Sequence, residues 1–290
     1  MRILVAGANG QLGRCLQDCL KNTSHQWLAL SRSSLEITDS EQVRRVINEF
    51  VPEIVINAAA YTAVDRAESE PDLASGVNVE GGRILAESCS VVGARLLHVS
   101  TDYVFDGTAG SPYKEEDETS PIGVYGKTKL AGEKFVLLSS QRNFVLRTSW
   151  VFSEYGNNFL KTMIKLATRE QIGVVADQFG GPTYAGDIAA ALLSMAEKSL
   201  DMLDEGGVFH FSGAPSVSWF DFATFIFDEA ERLGIIDDSP EIKPISTSEY
   251  PTPAKRPAYS VLSNDKVIRT FDVKPSDWRM AVSKVLRACS

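Results

Sequence analysis

The sequence predicts an α/β fold, a doubly wound parallel sheet followed by a smaller, partly interleaved C-terminal domain. Three observations carry the prediction. Short, nearly uninterrupted apolar runs alternate with helically spaced apolar positions through the first half of the chain. A glycine-rich turn joins the first run to the first helix. After Trp150 the alternation gives way to tracts rich in turn formers.

In chain order, Arg2 to Ala6 (RILVA) is apolar on both faces, as a strand buried between helices must be, and Leu12 to Leu20 carries apolar residues at helical spacing. Between them lies GANGQLG, with Gly7, Gly10 and Gly13. One glycine permits the tight turn, one lets a phosphate reach the backbone, and one lets the helix pack on the strand. Gln11 and Leu12 open a helix whose free N–H groups and dipole suit a pyrophosphate. The fold is therefore expected to be Rossmann-type, with residues 1–150 forming an NAD(P)-binding domain to which some later segments return. Trp27 to Leu30 reads as the second strand, ending at Ser31-Arg32. No acid stands there to repel a ribose 2′-phosphate and Arg32 offers a fork to bind one, so NADPH is the expected cofactor, with NADH the alternative. Glu36 and Ile37, just beyond, belong to the same cofactor side. Asp39 should cap the next helix with Gln42 as its capping-box partner, and Pro52 lies past that helix's end. Ile54 to Asn57, Leu96 to Val99 and Phe144 to Thr148 supply further buried strands, separated by helices at about 71–92 and 126–139. Residues 151–290 should form mainly a substrate-binding domain, with turn-rich tracts at 177–187 and 243–260 and amphipathic helices at 218–233 and 277–288.

Composition narrows the function classes. A net charge of −9 with 23% charged and 44% hydrophobic residues describes an acidic globular surface and disfavours a nucleic-acid partner. Cys15, Cys19, Cys89 and Cys289 have neither metal-binding spacing nor disulfide-scaffold density, so reduced thiols in a cytoplasmic protein are expected. The opening Met-Arg-Ile-Leu-Val already reads as a strand rather than a signal peptide, and no apolar run reaches the roughly 20 residues a membrane span needs.

The chemistry concentrates in two phrases. LLHVSTDYVFDG (96–107) ends a strand in Ser100-Thr101, and YGKTK opens the following helix, placing Tyr125 and Lys129 four apart on one face. Carbonyl reduction needs a hydride donor, a proton for the developing alkoxide and a hydrogen bond to hold the oxygen. Tyr125 fits the proton donor, Thr101 the second hydrogen bond, and Lys129 a cation that lowers the phenol pKa. Eight tyrosines and 13 lysines would supply about 0.4 such spacings by chance, so the weight lies in the order of glycine loop, Ser-Thr strand end and Tyr-x-x-x-Lys. His98 is expected to be a core residue. The tract PTPAKRP offers two loop cations, Arg256 with a fork suited to phosphate oxygens and Lys255 as the weaker alternative.

With NAAAYTAVDRAESEP (57–71), RTSWVF (147–152), GNNFLKTM (156–163) and YPTPAKRP (250–257), these phrases resemble the dTDP-4-dehydrorhamnose reductase family of the extended short-chain dehydrogenase/reductases over the full length. The resemblance implies reduction of the C4 ketone of dTDP-4-dehydro-L-rhamnose by NADPH, giving dTDP-L-rhamnose for cell-surface polysaccharide. It implies Thr101, Tyr125 and Lys129 as the catalytic trio, and Ala59, Ala60 and Tyr61 beside the nicotinamide. Asp102, Tyr103, Trp150, Asn157, Asn158, Gln178 and Arg256 are implied on the substrate side, and Asn78 matches the helix asparagine of extended members. Related dehydratases carry Thr-Asp-Glu where this chain has Thr101-Asp102-Tyr103, so the base for water elimination is missing. Some members bridge subunits through Mg²⁺. This chain has Cys15 where an acid is sought, so no metal is expected, while a homodimer remains open. Two alternatives also remain: a nucleotide-sugar epimerase, and a non-catalytic subunit like the regulatory subunit of methionine adenosyltransferase, against which the intact trio argues.

Overall fold

A computed structural model describes residues 1–202 and 205–289 of the chain; the side chain of Cys289 lies outside the described residues. Strands β1 (Arg2–Ala6), β2 (Gln26–Leu30), β3 (Ile54–Asn57), β4 (Arg95–Thr101) and β5 (Phe144–Thr148) pair in parallel. With Gly207–His210 beyond β5, they form a six-stranded sheet ordered Gly207–His210, β5, β4, β3, β1, β2. The chain runs outward from β1 to β2, then returns to the other side of β1 at β3. That reversal opens a crevice at the carboxyl ends of β1 and β3, where such sheets bind ligands. The fold class is the one the sequence predicts.

Strand alternation sends Ile3 and Val5 to one face of the sheet and Leu4 and Ala6 to the other. The first face packs against helix α1 (Gln11–Leu20) and the helix Ala185–Ser199, through Leu16, Ile188 and Leu192. The second packs against helix α2 (Ser40–Phe50) and the helix Gly82–Val92, through Val43, Ile47 and Leu85. A separate core, including Phe152, Leu160, Phe222, Ile226, Trp278 and Val282, lies in the C-terminal half. The parallel strands Gln171–Val175 and Glu241–Ile245 lie against it. Because Ala185–Ser199 and Gly207–His210 join the first sheet and its core, the chain crosses back after entering the second. Cys15, Cys19 and Cys89 carry free thiols.

Two local expectations are corrected. Asp39 caps α2 by accepting from the Glu41 and Gln42 N–H groups, but the Gln42 carboxamide accepts from the Glu36 N–H at 2.6 Å instead of closing a capping box. The segment expected as one helix at about 71–92 is Pro71–Ser75, a π-helical turn Gly76–Gly81, and Gly82–Val92. The wider turn carries Asn78 to a buried position, whereas a plain helix-surface amide would face water.

The helix Val124–Ser139 is fastened to β5 by a buried ion pair. Arg147 donates from Nη2 to Glu133 Oε2 at 2.7 Å and from Nε to Oε1 at 3.0 Å, with both side chains almost wholly buried. The Arg147 guanidinium also lies 5.1 Å from the centre of the Phe105 ring and keeps the neighbouring, buried His210 neutral, its pKa lowered to about 3 by desolvation and then by Arg147. Removing one charge strands the other without solvent. Glu133→Gln is therefore expected to lower unfolding stability by about 3–5 kcal/mol in urea denaturation. A loss under about 1 kcal/mol would show that the pair does not tie the helix down.

Candidate active site

A cleft of about 560 Å³ runs along the carboxyl ends of β1, β3, β4 and β5. Its floor at one end is the glycine turn. Gly7 sits at φ +88°, and a Cβ there would stand 2.6 Å from the Ala59 nitrogen, so only glycine lets β1 and the loop after β3 approach this closely. A Cβ at Gly13 would stand 2.2 Å from the Gly7 carbonyl, which is how α1 packs against its own turn. Gly10 leads into α1 without a side-chain cap and without an acid in the first turn, so the first N–H groups remain available to an anion. Gln11 and Leu12 line the cleft. Gln11 is held by hydrogen bonds to its Oε1 from Ser153 at 3.0 Å and Asn158 at 2.9 Å.

Beside the turn, a hollow of about 230 Å³ is bordered by Gly7, Arg32, Glu36, Ile37, Ala60 and Tyr61. Arg32 is mostly exposed and pairs with Glu36 at 2.6 Å. Desolvation pushes the Glu36 carboxyl up, but its bonds to Arg32 and Thr38 outweigh that and leave it below the usual range. Ser31 turns its hydroxyl to Ser33 and does not border the hollow. Two buried amides hold the segment 58–61. The Ala59 N–H donates to Asn57, whose amide meets the ring of His98, and the Tyr61 N–H donates to Asn78 at 2.9 Å. Asn78 also donates to the Tyr61 carbonyl and to the Thr128 hydroxyl, tying this segment to the helix Val124–Ser139. Burial, then the charge on Lys129, lowers the His98 pKa well below its usual value, so His98 is a neutral core residue.

Thr101, Asp102, Tyr103, Tyr125 and Lys129 all line the cleft. The helix bearing Tyr125 can lie on the turn after β4 because position 126 is glycine; a Cβ there would stand 2.1 Å from the Tyr103 carbonyl. The Thr101 hydroxyl donates to Asp102 Oδ1 at 3.0 Å, accepts from the Tyr103 N–H at 3.2 Å, and lies beside the Tyr125 hydroxyl, whose acidity it affects. The Tyr103 and Tyr125 rings meet edge to face with centroids 5.6 Å apart. Lys129 is buried and donates to the Val99 carbonyl at 2.7 Å; burial lowers its pKa to about 8, against the opposing pull of Glu133.

The acidity of Tyr125 departs from the sequence expectation. Burial raises its phenol to about 12, with Thr101 pulling it down and Asp102 pushing it up. Here desolvation outweighs any help from the neighbouring lysine, and the phenol stays protonated at neutral pH, the state a proton donor needs.

Farther along, a hollow of about 780 Å³ is bordered by Phe159, Met163, Val175, Gln178, Tyr250 and Arg256. Arg256 donates to Asp65 at 2.9 Å, and Gln178 donates to the Thr247 hydroxyl at 3.0 Å. Between the hollow and the cleft stand two indoles: Trp150, on the cleft, and Trp219, on the hollow, stack with centroids 3.4 Å apart and planes 5° from parallel. Gly180 makes room for this wall, since a Cβ there would stand 2.5 Å from the Trp150 ring. Trp219 and Asp65 escaped the sequence reading, because pairs so far apart in the chain leave no periodic or motif signal. Asn157 lines the cleft, but Asn158 does not. The Asn158 side chain caps the helix Phe159–Leu166 through the Lys161 N–H and donates to Gln11 and Ser153, so its amide is spent on structure.

Among the described residues no group of three or more His, Cys, Asp or Glu is placed to hold a metal ion. The hollow at Cys15 also holds Asp18, Glu154, Asp187 and Lys284. Burial, then Glu154, pushes the Cys15 thiol up to about 12, leaving a neutral sulfur that is a poor ligand for a hard cation such as Mg²⁺. Cys15 therefore supplies no ligand for that metal.

The whole chain, residues 1–290, matches the family model described as RmlD substrate binding domain. It is 49% identical to the dTDP-4-dehydrorhamnose reductase of Aggregatibacter actinomycetemcomitans, over 98% of each chain. Among solved structures it is similar to a dTDP-4-dehydrorhamnose reductase of Bacillus anthracis in complex with NADP, with TM-score 0.91 and 39% identity over 99% of this chain and 98% of that one. It is equally similar to the Clostridium acetobutylicum ortholog, with TM-score 0.91 and 40% identity over 99% of each. With a cleft that presents an uncapped helix start, a protonated tyrosine and a buried lysine, and relatives of this closeness along its whole length, the chain belongs to the dTDP-4-dehydrorhamnose reductase family.

Proposed function

We propose that this chain reduces the C4 ketone of dTDP-4-dehydro-L-rhamnose to the alcohol of dTDP-L-rhamnose, with NADPH as the reductant. The observation that carries the reading is Tyr125, in one cleft with Thr101 and one helical turn from the buried Lys129, with that cleft beginning at an uncapped helix start. The reductase relatives favour this chemistry over epimerisation or a non-catalytic role. Bound NADPH supplies the hydride, and the residues of the chain do the rest. The backbone at Gly7 and Gly10 and the first turn of α1 receive the pyrophosphate, and Ala59 and Ala60 flank the cleft. Tyr125 gives its proton to the oxygen that becomes the C4 hydroxyl, while Thr101 fixes that oxygen's position. Lys129 holds the nicotinamide ribose.

The sugar nucleotide lies across the Trp150–Trp219 wall, its sugar in the cleft and its base in the larger hollow near Gln178. Arg256 meets the diphosphate by exchanging Asp65 for phosphate oxygens. Net charge does not oppose this, because one guanidinium at contact outweighs distant acids screened over about 8–10 Å. Residues 1–150, with the later returning segments, serve the cofactor and 151–290 mainly the substrate. The remainder of the reading is a cytoplasmic enzyme, with a homodimer left open and with neither nucleic acid nor membrane as partner. No helix among the described residues is long and apolar enough to cross a membrane.

Tyr125→Phe keeps the ring and loses the proton. It is expected to lower kcat by about 10²–10⁴ with cofactor affinity nearly unchanged, measured by NADPH oxidation and by titration of NADP⁺ binding. More than half of wild-type turnover would remove Tyr125 from the mechanism. For the cofactor, Arg32 must trade Glu36 for the 2′-phosphate, an exposed pairing worth only about 0–1 kcal/mol and so easily exchanged. Arg32→Ala should raise KM for NADPH roughly tenfold and leave KM for NADH unchanged; an unaltered ratio of the two would place the 2′-phosphate elsewhere.

A further inference from the structure

Asp102 is 2% exposed and lines the same cleft as Tyr125, and beyond a place on the substrate side, the proton transfer by Tyr125 and Thr101 gives its carboxylate no part. Its Oδ1 takes the Thr101 proton at 3.0 Å. Its Oδ2 is buried with no donor in hydrogen-bonding geometry, although the Ser260 hydroxyl faces the carboxylate. A carboxylate left half satisfied beside a proton donor is costly unless its charge has a use.

A threonine hydroxyl has one proton and two lone pairs. While Asp102 is ionised it can only accept, so the Thr101 proton is committed to it. A lone pair of Thr101 accepts from the Tyr103 N–H, and no proton is left for the neighbouring Tyr125 oxygen, whose pKa a Thr101 donor would lower. In that state Thr101 has no proton for a substrate oxygen, and the nearby negative charge opposes both the alkoxide and the phenolate that the reaction creates. Once Asp102 takes a proton from solvent, its OH donates to Thr101, whose own proton is released toward the cleft.

We propose that Asp102 is the positioning residue that sets the direction of the Thr101 hydroxyl, holding its proton away from the substrate as a carboxylate and turning it toward the substrate oxygen as an acid. The inference rests on the reductase reading of Tyr125 and Thr101. No bond other than O–H is made or broken, and the proton on Asp102 comes from and returns to water.

Burial raises the Asp102 carboxyl to about 6, with Ser260 and Thr101 pulling it back. The ionisable groups around it are Tyr103 on its own turn, Tyr125 on the neighbouring helix, Lys129 in the same cleft, and Arg256 and Asp65, whose charges bear on Tyr103 and pair with each other. Both tyrosines are pushed further up by Asp102 and stay neutral below pH 8, and Lys129, at about 8, changes charge only at the upper edge. A transition near pH 6 would therefore belong to Asp102. The sign follows: lowering pH through 6 neutralises it, frees the Thr101 donor and speeds turnover.

The test is the initial rate of NADPH oxidation at saturating dTDP-4-dehydro-L-rhamnose from pH 8 to 5.5, with KM for NADPH measured alongside. Wild-type kcat is expected to rise roughly tenfold on acidification, less than the roughly 10²–10³ lost when an oxyanion donor is removed outright, while KM for NADPH shows no matching step. Asp102→Asn, neutral at every pH, should give a flat kcat profile, and so should Thr101→Val, which removes the hydroxyl that transmits the change and serves as the check if the first variant folds poorly. A flat wild-type profile, or the same inflection persisting in either variant, would overturn the proposal. Failure of the underlying reading looks different, since Tyr125→Phe would then retain turnover at every pH.

Discussion

The close approach of one helix to the sheet is the constraint on which the rest of this molecule depends. Val124–Ser139 lies against backbone on two sides: Gly126 lets it meet the Tyr103 carbonyl, and Gly132 lets it meet the carbonyl of Asn78, where a Cβ would stand 2.2 Å away. Glu133 then locks it to Arg147 on β5, and Lys129 reaches the Val99 carbonyl on β4. With those four attachments fixed, Tyr125 points into the cleft beside Thr101. The catalytic geometry is therefore set by packing and buried charge below the site, and the reacting groups themselves need few direct restraints.

Burial has a second consequence, in the electrostatics. It holds Tyr125 protonated, makes Lys129 easier to discharge and leaves Asp102 half satisfied, all within one cleft. A solvated site with the same residues would have an ordinary phenol, an ordinary lysine and an ionised aspartate. The dry environment turns three common side chains into groups whose protons can be directed, while the acidic surface of the protein bears little on them.

Much of this was legible in the sequence where a local rule is also a global one. Continuous apolar runs such as RILVA read as buried strands because both faces are covered, and GANGQLG, Ser100-Thr101 and Tyr-x-x-x-Lys fell in the right order along the cleft. The readings that failed were those in which a side chain had a competing partner. Gln42 was drawn to the Glu36 N–H, and Asn158 to a cap and to Gln11. The π turn at Gly76–Gly81 went unseen because one extra residue in a helix barely disturbs apolar periodicity, yet it is what buries Asn78. The Trp150–Trp219 stack and the Asp65–Arg256 pair join residues far apart in the chain, and only the fold brings them together.

The central claim is that this geometry performs net hydride transfer to a ketone and keeps the reduced product. It is tested most directly with NADPH carrying deuterium in the transferred position, mixed with dTDP-4-dehydro-L-rhamnose and the purified chain, and followed by NMR of the sugar. The account requires one NADP⁺ formed per sugar, with the deuterium at C4 of dTDP-L-rhamnose. Sugar converted without stoichiometric loss of NADPH, or product free of deuterium at C4, would contradict it.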